Sequence, residues 1–263
     1  MSINRAARLE SVATLILAGG KIKDRDADAW RPYLGPGVTN RALLDLNGTT
    51  MLERVVAPVR EAAPGRILVA GDVPLPEGCT PATGGETLLD TLLNGVAALN
   101  EGETRLLVVT ADIPFLTAEA LRDVLDRAPE TAAFVYPIVQ AQRCYERFPE
   151  MKRTVVKTAQ GTFTGGNVVL IDAAFARERS GAIRAAYAAR KSPFKLAGML
   201  GFGTLARLAV SSLCPAALPI PYLEAAVGRL LGGATVCALD TPFPEIGADI
   251  DRPEDVPLAR SLL

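Results

Sequence analysis

Asp112 follows the apolar run Leu106-Leu107-Val108-Val109-Thr110-Ala111 and precedes Ile113-Pro114, so a carboxylate stands where a buried strand ends and the chain must turn. A carboxylate at the mouth of a sheet either caps that turn or holds a hard divalent cation. Mg²⁺ takes oxygen ligands and accepts just one or two carboxylates. A second acidic centre lies near the other end of the chain, where Glu245, Asp249, Asp251, Glu254 and Asp255 fall within eleven residues. Asp251 and Glu254 fit an N-terminal capping box with Pro253 in the first turn. That assignment leaves Asp249 without a structural duty and makes it the expected metal partner of Asp112.

Anion-binding chemistry is suggested at three further places. Leu17-Ala18-Gly19-Gly20 ends another apolar run, and consecutive glycines let backbone N–H groups approach a phosphate or base without Cβ obstruction, or simply turn the chain. Lys21, Lys23, Arg25 and Arg31 follow, either as a polyphosphate clamp or as a solvated charge run. Arg41, in Asn40-Arg41-Ala42-Leu43-Leu44-Asp45-Leu46-Asn47-Gly48, precedes an apolar strand, and its planar fork suits phosphate oxygens; surface placement is the alternative. Gly165, Gly166 and Asn167 close the run Gly161-Thr162-Phe163-Thr164 and read either as a hairpin turn or as a close approach to a ligand, with Asn167 as donor and acceptor.

Composition removes other chemistries. The 263 residues contain no histidine, which excludes Ser-His-Asp and Cys-His hydrolases, HExxH proteases and imidazole proton shuttles. A net charge of −1 argues against a non-specific nucleic-acid binder. Cys79, Cys144, Cys214 and Cys237 lie far apart without a CxxC pair, which points to free buried thiols and a reducing cytosol, hence a cytoplasmic protein. The N-terminus is polar, without the pattern of a signal peptide. The longest uncharged stretch, residues 208–223, is broken by Pro215, Pro219 and Pro221 and is too short to span a membrane.

The elements that must carry these residues follow from periodicity. Residues 12–17, 66–70 and 105–110 are short buried strands. Residues 50–63 and 86–100 have apolar positions at helical spacing, and Thr117 caps a helix through residue 128. This β-α-β-α-β-α order predicts an α/β protein with a mostly parallel sheet covered on both faces and ligands at the carboxyl ends of its strands. Residues 132–139, 153–158, 167–171 and 235–239 read as strands and 173–189 as a helix. Residues 195–233 read as two or three short helices, and Asp251 as the start of a terminal helix.

Four motifs in this order resemble the nucleotidyltransferases of the molybdenum-cofactor guanylyltransferase type: Leu17-Ala18-Gly19-Gly20, Asn40-Arg41-Ala42-Leu43-Leu44 with Leu46-Asn47-Gly48, Thr110-Ala111-Asp112-Ile113-Pro114, and Asp249-Ile250-Asp251-Arg252-Pro253-Glu254-Asp255. The resemblance covers residues 12–172 and 234–260. It implies a three-layer, Rossmann-like fold of the glycosyltransferase-A kind, as a single domain over residues 1–263 with a helical insert at about 176–233. It further implies that Leu17, Ala18, Gly19, Gly20 and Lys21 embrace the nucleotide, that Arg41 replaces a phosphate-binding Lys, and that Asp112 and Asp249 hold Mg²⁺. Gly84, Gly85 and Thr87 fall where relatives contact the base, and Gly165, Gly166, Asn167 and Lys195 face the acceptor. One departure is plain: relatives continue the first motif with a glycine-rich loop bearing Arg and then Lys, whereas this chain reads Lys21-Ile22-Lys23-Asp24-Arg25.

The implied partners are an NTP and a small phosphorylated acceptor, which attacks the α-phosphorus and releases pyrophosphate. An acceptor phosphate is already anionic, so no general base is needed, in keeping with the lack of histidine. The apolar stretch 195–233 offers an ordinary helical core, a homo-oligomer surface or a hydrophobic acceptor wall. Two other functions compete: a nucleotide-sugar glycosyltransferase, disfavoured because Asp112 lacks a DxD partner, and a nucleotide-binding module without turnover.

Overall fold

The computed structural model describes residues 7–35, 37–63, 65–189 and 201–263. In chain order the strands are β1 (Val12–Leu17), β2 (Asp45–Leu46), β3 (Thr49–Thr50), β4 (Ile67–Ala70), β5 (Thr80–Ala82), β6 (Arg105–Thr110), β7 (Phe134–Gln140), β8 (Val156–Thr158), β9 (Gly161–Gly165), β10 (Val168–Asp172) and β11 (Val236–Asp240). β2 and β3 form a small antiparallel ribbon; the others make one nine-stranded sheet ordered β5-β4-β1-β6-β10-β7-β9-β8, with β11 also paired to β7. Only β9 and β10 run against the rest, so the sheet is mostly parallel, as expected.

The helices follow from caps and stripes. Thr50 caps α1 (Met51–Ala62) through a reciprocal capping box with Glu53, Thr87 caps α2 (Leu88–Ala97) in the same way with Asp90, Thr117 caps α3 (Ala118–Arg127), and α4 (Ala141–Arg147) follows β7 directly. Alternation along β1 and β6 then sorts the core. Ile16, Leu107 and Val109 pack with Val55 and Val59 of α1 and Leu121 and Val124 of α3. Leu15, Leu106 and Val108 face the other way, toward Val96 of α2 and Ala176 of α5 (Ala173–Glu178). Both faces are covered, which makes an α/β fold in three layers. A separate cluster joins Trp30, Leu44, Leu46, Met51 and Phe148 to Ala248, Ile250 and Val256. It fixes the acidic C-terminal segment beside Arg41.

Several local expectations change. Residues 173–189 form two helices, α5 and α6 (Ser180–Ala189), separated at Arg179. The terminal helix (Asp255–Leu262) starts four residues after Asp251; Glu254 occupies its N-cap without a side-chain bond, so the capping box at Asp251 and Glu254 does not form. Of the predicted apolar helices, residues 202–211 and 220–230 are helical, while Lys195 lies outside the described residues. The four cysteines are unbridged, but only Cys144 is buried and Cys214 is exposed. Among the described residues no helix is long and apolar enough to cross a membrane.

Residues 161–172 are not a hairpin either. Gly165 pairs with Ile138 and Leu170 with Val135, so five residues advance on one strand while three advance on its neighbour. β9 and β10 are thus one antiparallel strand carrying a two-residue bulge at Gly166-Asn167. Bulges re-aim side chains and concentrate beside functional sites.

Candidate functional site

The carboxyl ends of β1 and β6 lie side by side, because the Ala111 N–H donates to the Leu17 carbonyl at 3.1 Å. Three further backbone bonds extend this rim. The Thr110 N–H donates to Asn167 O (3.1 Å), the Asn167 N–H to Ile246 O (2.8 Å), and the Ile250 N–H to Asp112 O (2.8 Å). Asp112, the bulge and the 246–251 segment are therefore laced together at one lip of the sheet, although 137 residues separate Asp112 from Asp249 in the chain.

The electrostatics of this lip are unfavourable without a cation. The Asp112 Oδ1 atom is buried and has no hydrogen-bond partner among the described residues. Burial pushes its carboxyl above the ordinary range and the nearby Asp251 charge adds to this, while Arg41 pulls the other way. Asp249 is pushed up to about 6 by burial, then by the charges of Asp251 and Asp112. Among the described residues no three His, Cys, Asp or Glu side chains form a ready metal cage. An orphaned carboxylate oxygen beside a second, electrostatically strained carboxylate nevertheless fits Mg²⁺. That ion is commonly held by one or two carboxylates plus water and substrate phosphate.

Arg41 opens a short 3₁₀ turn capped by Asn40, whose side-chain amide also donates to Ala18 O at 2.8 Å. The Arg41 N–H reaches Gly20 O at 3.0 Å, so the glycine turn and the cation form one unit. Its guanidinium donates to Ile250 O and Asp251 O at 3.3 Å and to Asp251 Oδ1 at 3.1 Å, and it lies 5.8 Å from the Trp30 ring centre. A cleft of about 370 Å³ opens between Lys21, Lys23, Trp30, Arg41, Asp251 and Arg252. A neighbouring cavity of about 420 Å³ includes Tyr136, Arg153, Gly165, Gly166, Asn167 and Asp249 in its wall.

The structure sorts the residues singled out by sequence. Arg41, Asp112, Asp249 and Asn167 come together. Among the described residues a Cβ on Gly19 would meet nothing within 4 Å, so packing does not demand that glycine, whereas Ala18 is buried and Arg41 lies against Gly20; Leu17, Ala18, Gly19 and Gly20 line neither space. Lys21 reaches the 370 Å³ cleft, with its ammonium 3.4 Å from Asp72. Gly165 and Gly166 do line the larger cavity, but their lack of side chains has a packing cause: a Cβ would strike Tyr136 at the first and Ile246 at the second. Gly84, Gly85 and Thr87 line neither space. Gly85 is crowded by Asp90, and the Thr87 hydroxyl is spent on the cap of α2.

Sequence reasoning missed Asp251, Arg252 and Arg153. The cap expected at Asp251 does not form. Arg153, placed in a predicted strand, instead precedes β8, donates to Gly247 O at 3.3 Å and keeps a buried Nε without a partner among the described residues. No periodic signal marks such a residue. The adjacent cations Lys152-Arg153 are the sole local signal for it.

The MobA-like NTP transferase domain matches residues 14–200. The chain belongs to this family. A structure titled a hypothetical transferase from Thermus thermophilus superposes with a TM-score of 0.78 at 38% identity, over 93% of this chain and 98% of that one. More distant members of the same fold include 2-C-methyl-D-erythritol 4-phosphate cytidylyltransferase from Thermus thermophilus, at 17% identity and TM-score 0.51 over 95% and 96% of the two chains. The same enzyme from Francisella tularensis superposes at 12% identity and TM-score 0.55, over 96% and 99%. No curated protein matches the sequence. In this MobA-like NTP transferase, the lip bearing Asp112 and Asp249 lies at the carboxyl ends of the parallel strands, where open α/β sheets gather their ligands.

Proposed function

We propose that the chain is a Mg²⁺-dependent nucleotidyltransferase that moves a nucleoside monophosphate from an NTP to a small phosphorylated acceptor and releases pyrophosphate. The single observation that carries this reading is the meeting of Asp112 and Asp249 at the sheet lip, beside the clamp of Arg41 and the glycine turn. Membership of an NTP transferase family supports the donor, and fold neighbours whose titles name cytidylyltransferases support the reaction class. We read residues 1–263 as one domain, with the helices between about 176 and 233 as its insert.

Asp112 and Asp249 would hold the ion, which when bound supplies charge neutralisation at the triphosphate. Lys21, Lys23, Arg41 and Arg252 gather the phosphates in the 370 Å³ cleft. Asn167 and Arg153 orient the acceptor phosphate in the adjoining cavity. The acceptor oxygen attacks the α-phosphorus in line; a P–O bond forms to the acceptor, the α–β bridging P–O bond breaks, and its electron pair leaves with pyrophosphate. No proton has to be removed from a phosphate nucleophile, so positioning and electrostatics provide the rate.

One observation favours a second reading, a nucleotide-binding module without turnover: Arg41 and Lys21 are already paired, with Asp251 at 3.1 Å and Asp72 at 3.4 Å. Incubation with each NTP, Mg²⁺ and a panel of phosphorylated acceptors decides between them. Pyrophosphate release supports the transferase. Tight NTP binding with no release under any acceptor supports the module.

A further inference from the structure

β7 lies inside the sheet, bonded to β10, β9 and β11, and its residues alternate strictly between two environments. Val135, Pro137 and Val139 are buried, whereas Phe134, Tyr136 and Ile138 are only half-buried. An interior strand of a doubly covered sheet normally buries both faces. Here the second face is left open over an apolar cavity of about 470 Å³, walled by Phe134 and Ile138 of β7, Phe163 of β9, Val236 of β11, and Leu223 and Val227 of the helix Ile220–Leu230. That volume falls within the range of small-molecule sites, about 300–1,000 Å³.

The cavity does not stand apart from the site already described. Tyr136, Thr154, Thr164 and Gly165 belong to its wall and to the wall of the 420 Å³ polar cavity. The two cavities thus adjoin across a shared wall, with Asn167, Arg153 and Asp249 lining the polar one and a mostly apolar surface lining the other. The glycine at 165 is needed where the two meet, because a Cβ there would strike the Tyr136 ring. Lys152, Arg153 and Arg252 stand in the wall of the polar cavity beside Asp249, Asp251 and Asp255, so cations for an anionic head adjoin an apolar space for a body.

We infer that the acceptor is an amphiphile: a phosphate monoester whose headgroup sits at Asn167 and Arg153 and whose apolar carbon skeleton occupies the 470 Å³ cavity. This rests on the transferase reading and narrows it: the wall is mostly apolar, and of its polar members Thr158, Thr164 and Glu224 are already bonded to backbone groups, which leaves few partners for the hydroxyls of a sugar phosphate. The helix Ile220–Leu230 then acts as the specificity wall of the acceptor site.

The test uses the full chain with a series of monoalkyl phosphates (ethyl, butyl, hexyl and octyl) beside inorganic phosphate, with binding measured by calorimetry in the presence of Mg²⁺. If the cavity takes the chain, affinity rises with length by up to about fourfold per methylene until the space is filled. Val227→Trp flattens the series while leaving ethyl phosphate and NTP binding as in the unaltered protein. A series on the unaltered protein that is flat from ethyl to octyl overturns the inference, whether because a second copy covers the cavity or because helices close it, and does so even where Val227→Trp fails to fold. NTP binding and pyrophosphate release, followed separately with each of the four NTPs, keep the two failures apart: a flat series with active turnover sinks only the amphiphile, and loss of both sinks the transferase.

Discussion

β5, β4, β1 and β6 run parallel and are flanked by capped helices, and β1, β4 and β6 are buried through almost every residue. Across the Asp112 lip, β10, β7 and β9 alternate in direction, the antiparallel strand is bulged at Gly166-Asn167, and one face of β7 is left half-open. The first region is a closed core whose strand ends present a fixed edge, with Asp112 at it. The second is a looser wall with room inside it. On the proposed function, Asp112 serves the chemistry from the closed half and the open half receives the acceptor, with Asp249 between them in the wall of the polar cavity.

The sharpest way to break this division is Asp112→Ala. It removes the buried carboxylate of the closed half and should lower kcat roughly a thousandfold, about 4 kcal/mol of barrier. Ethyl phosphate binding in the open half should stay within about twofold by calorimetry. Near-normal turnover in a folded variant discards Asp112 as the metal ligand, and loss of ethyl phosphate binding would show the halves to be coupled.

Arg41→Ala tests the seam between them. The guanidinium bridges the glycine turn to Ile250 and Asp251, so its loss removes a phosphate contact and loosens the segment carrying Asp249. We expect kcat/KM for the NTP to fall about thirty- to a hundredfold, on the order of 2–3 kcal/mol, with Arg41→Lys recovering only part because the planar fork is lost. An unchanged kcat/KM would reduce Arg41 to a surface clamp.

Asp249→Asn sharpens the electrostatic side. Asp249 titrates at about 6 against about 3.8 in the open chain, so between those values the folded state holds a proton the unfolded state has lost. Stability from this group is therefore greatest below about pH 4, declines as pH rises to about 6, and is flat above. In metal-free buffer at pH 7 the neutral Asn should stabilise the fold on the order of 1–3 kcal/mol, and near pH 4 the gain should vanish. Added Mg²⁺ should raise the melting temperature of the unaltered protein but not of Asp249→Asn. A variant less stable than its parent at pH 7 would mean that the carboxylate is already satisfied.

The closed half was largely legible in the sequence because its signals are local. Strands β1, β4 and β6 are short apolar runs, apolar spacing marks the helices within residues 50–63 and 86–100, and Thr117 announces the third; the caps at Thr50 and Thr87 emerge in the structure. Asp112 could be found because Pro114 marks the end of its strand. The exception in the closed half is β5, three residues with a proline at the centre. The open half depends on pairings that no local pattern encodes, since the bulge is visible only when β7 is set against residues 161–172. Asp251 shows the same limit. Its spacing to Glu254 satisfied a capping rule, but Ile250 is pinned to Asp112 and buried with Trp30 and Leu46, and that tertiary anchor delays the helix to Asp255.

Thr87 offers the smallest expected effect and the cleanest separation of packing from function. Resemblance to relatives assigns it to the nucleobase, whereas its hydroxyl both accepts from the Asp90 N–H at 3.1 Å and donates to Asp90 Oδ2 at 2.7 Å. Asp90 is also paired with Arg184 of α6, so the cap ties the closed half to the start of the insert. Thr87→Ala should therefore cost about 1 kcal/mol of stability by denaturant titration, while Thr87→Ser restores it and KM for every NTP stays within about twofold in both variants. If the alanine variant instead keeps full stability and loses discrimination among the four NTPs, then the hydroxyl reads the base, and the nucleotide site extends along the strand ends as far as the amino end of α2.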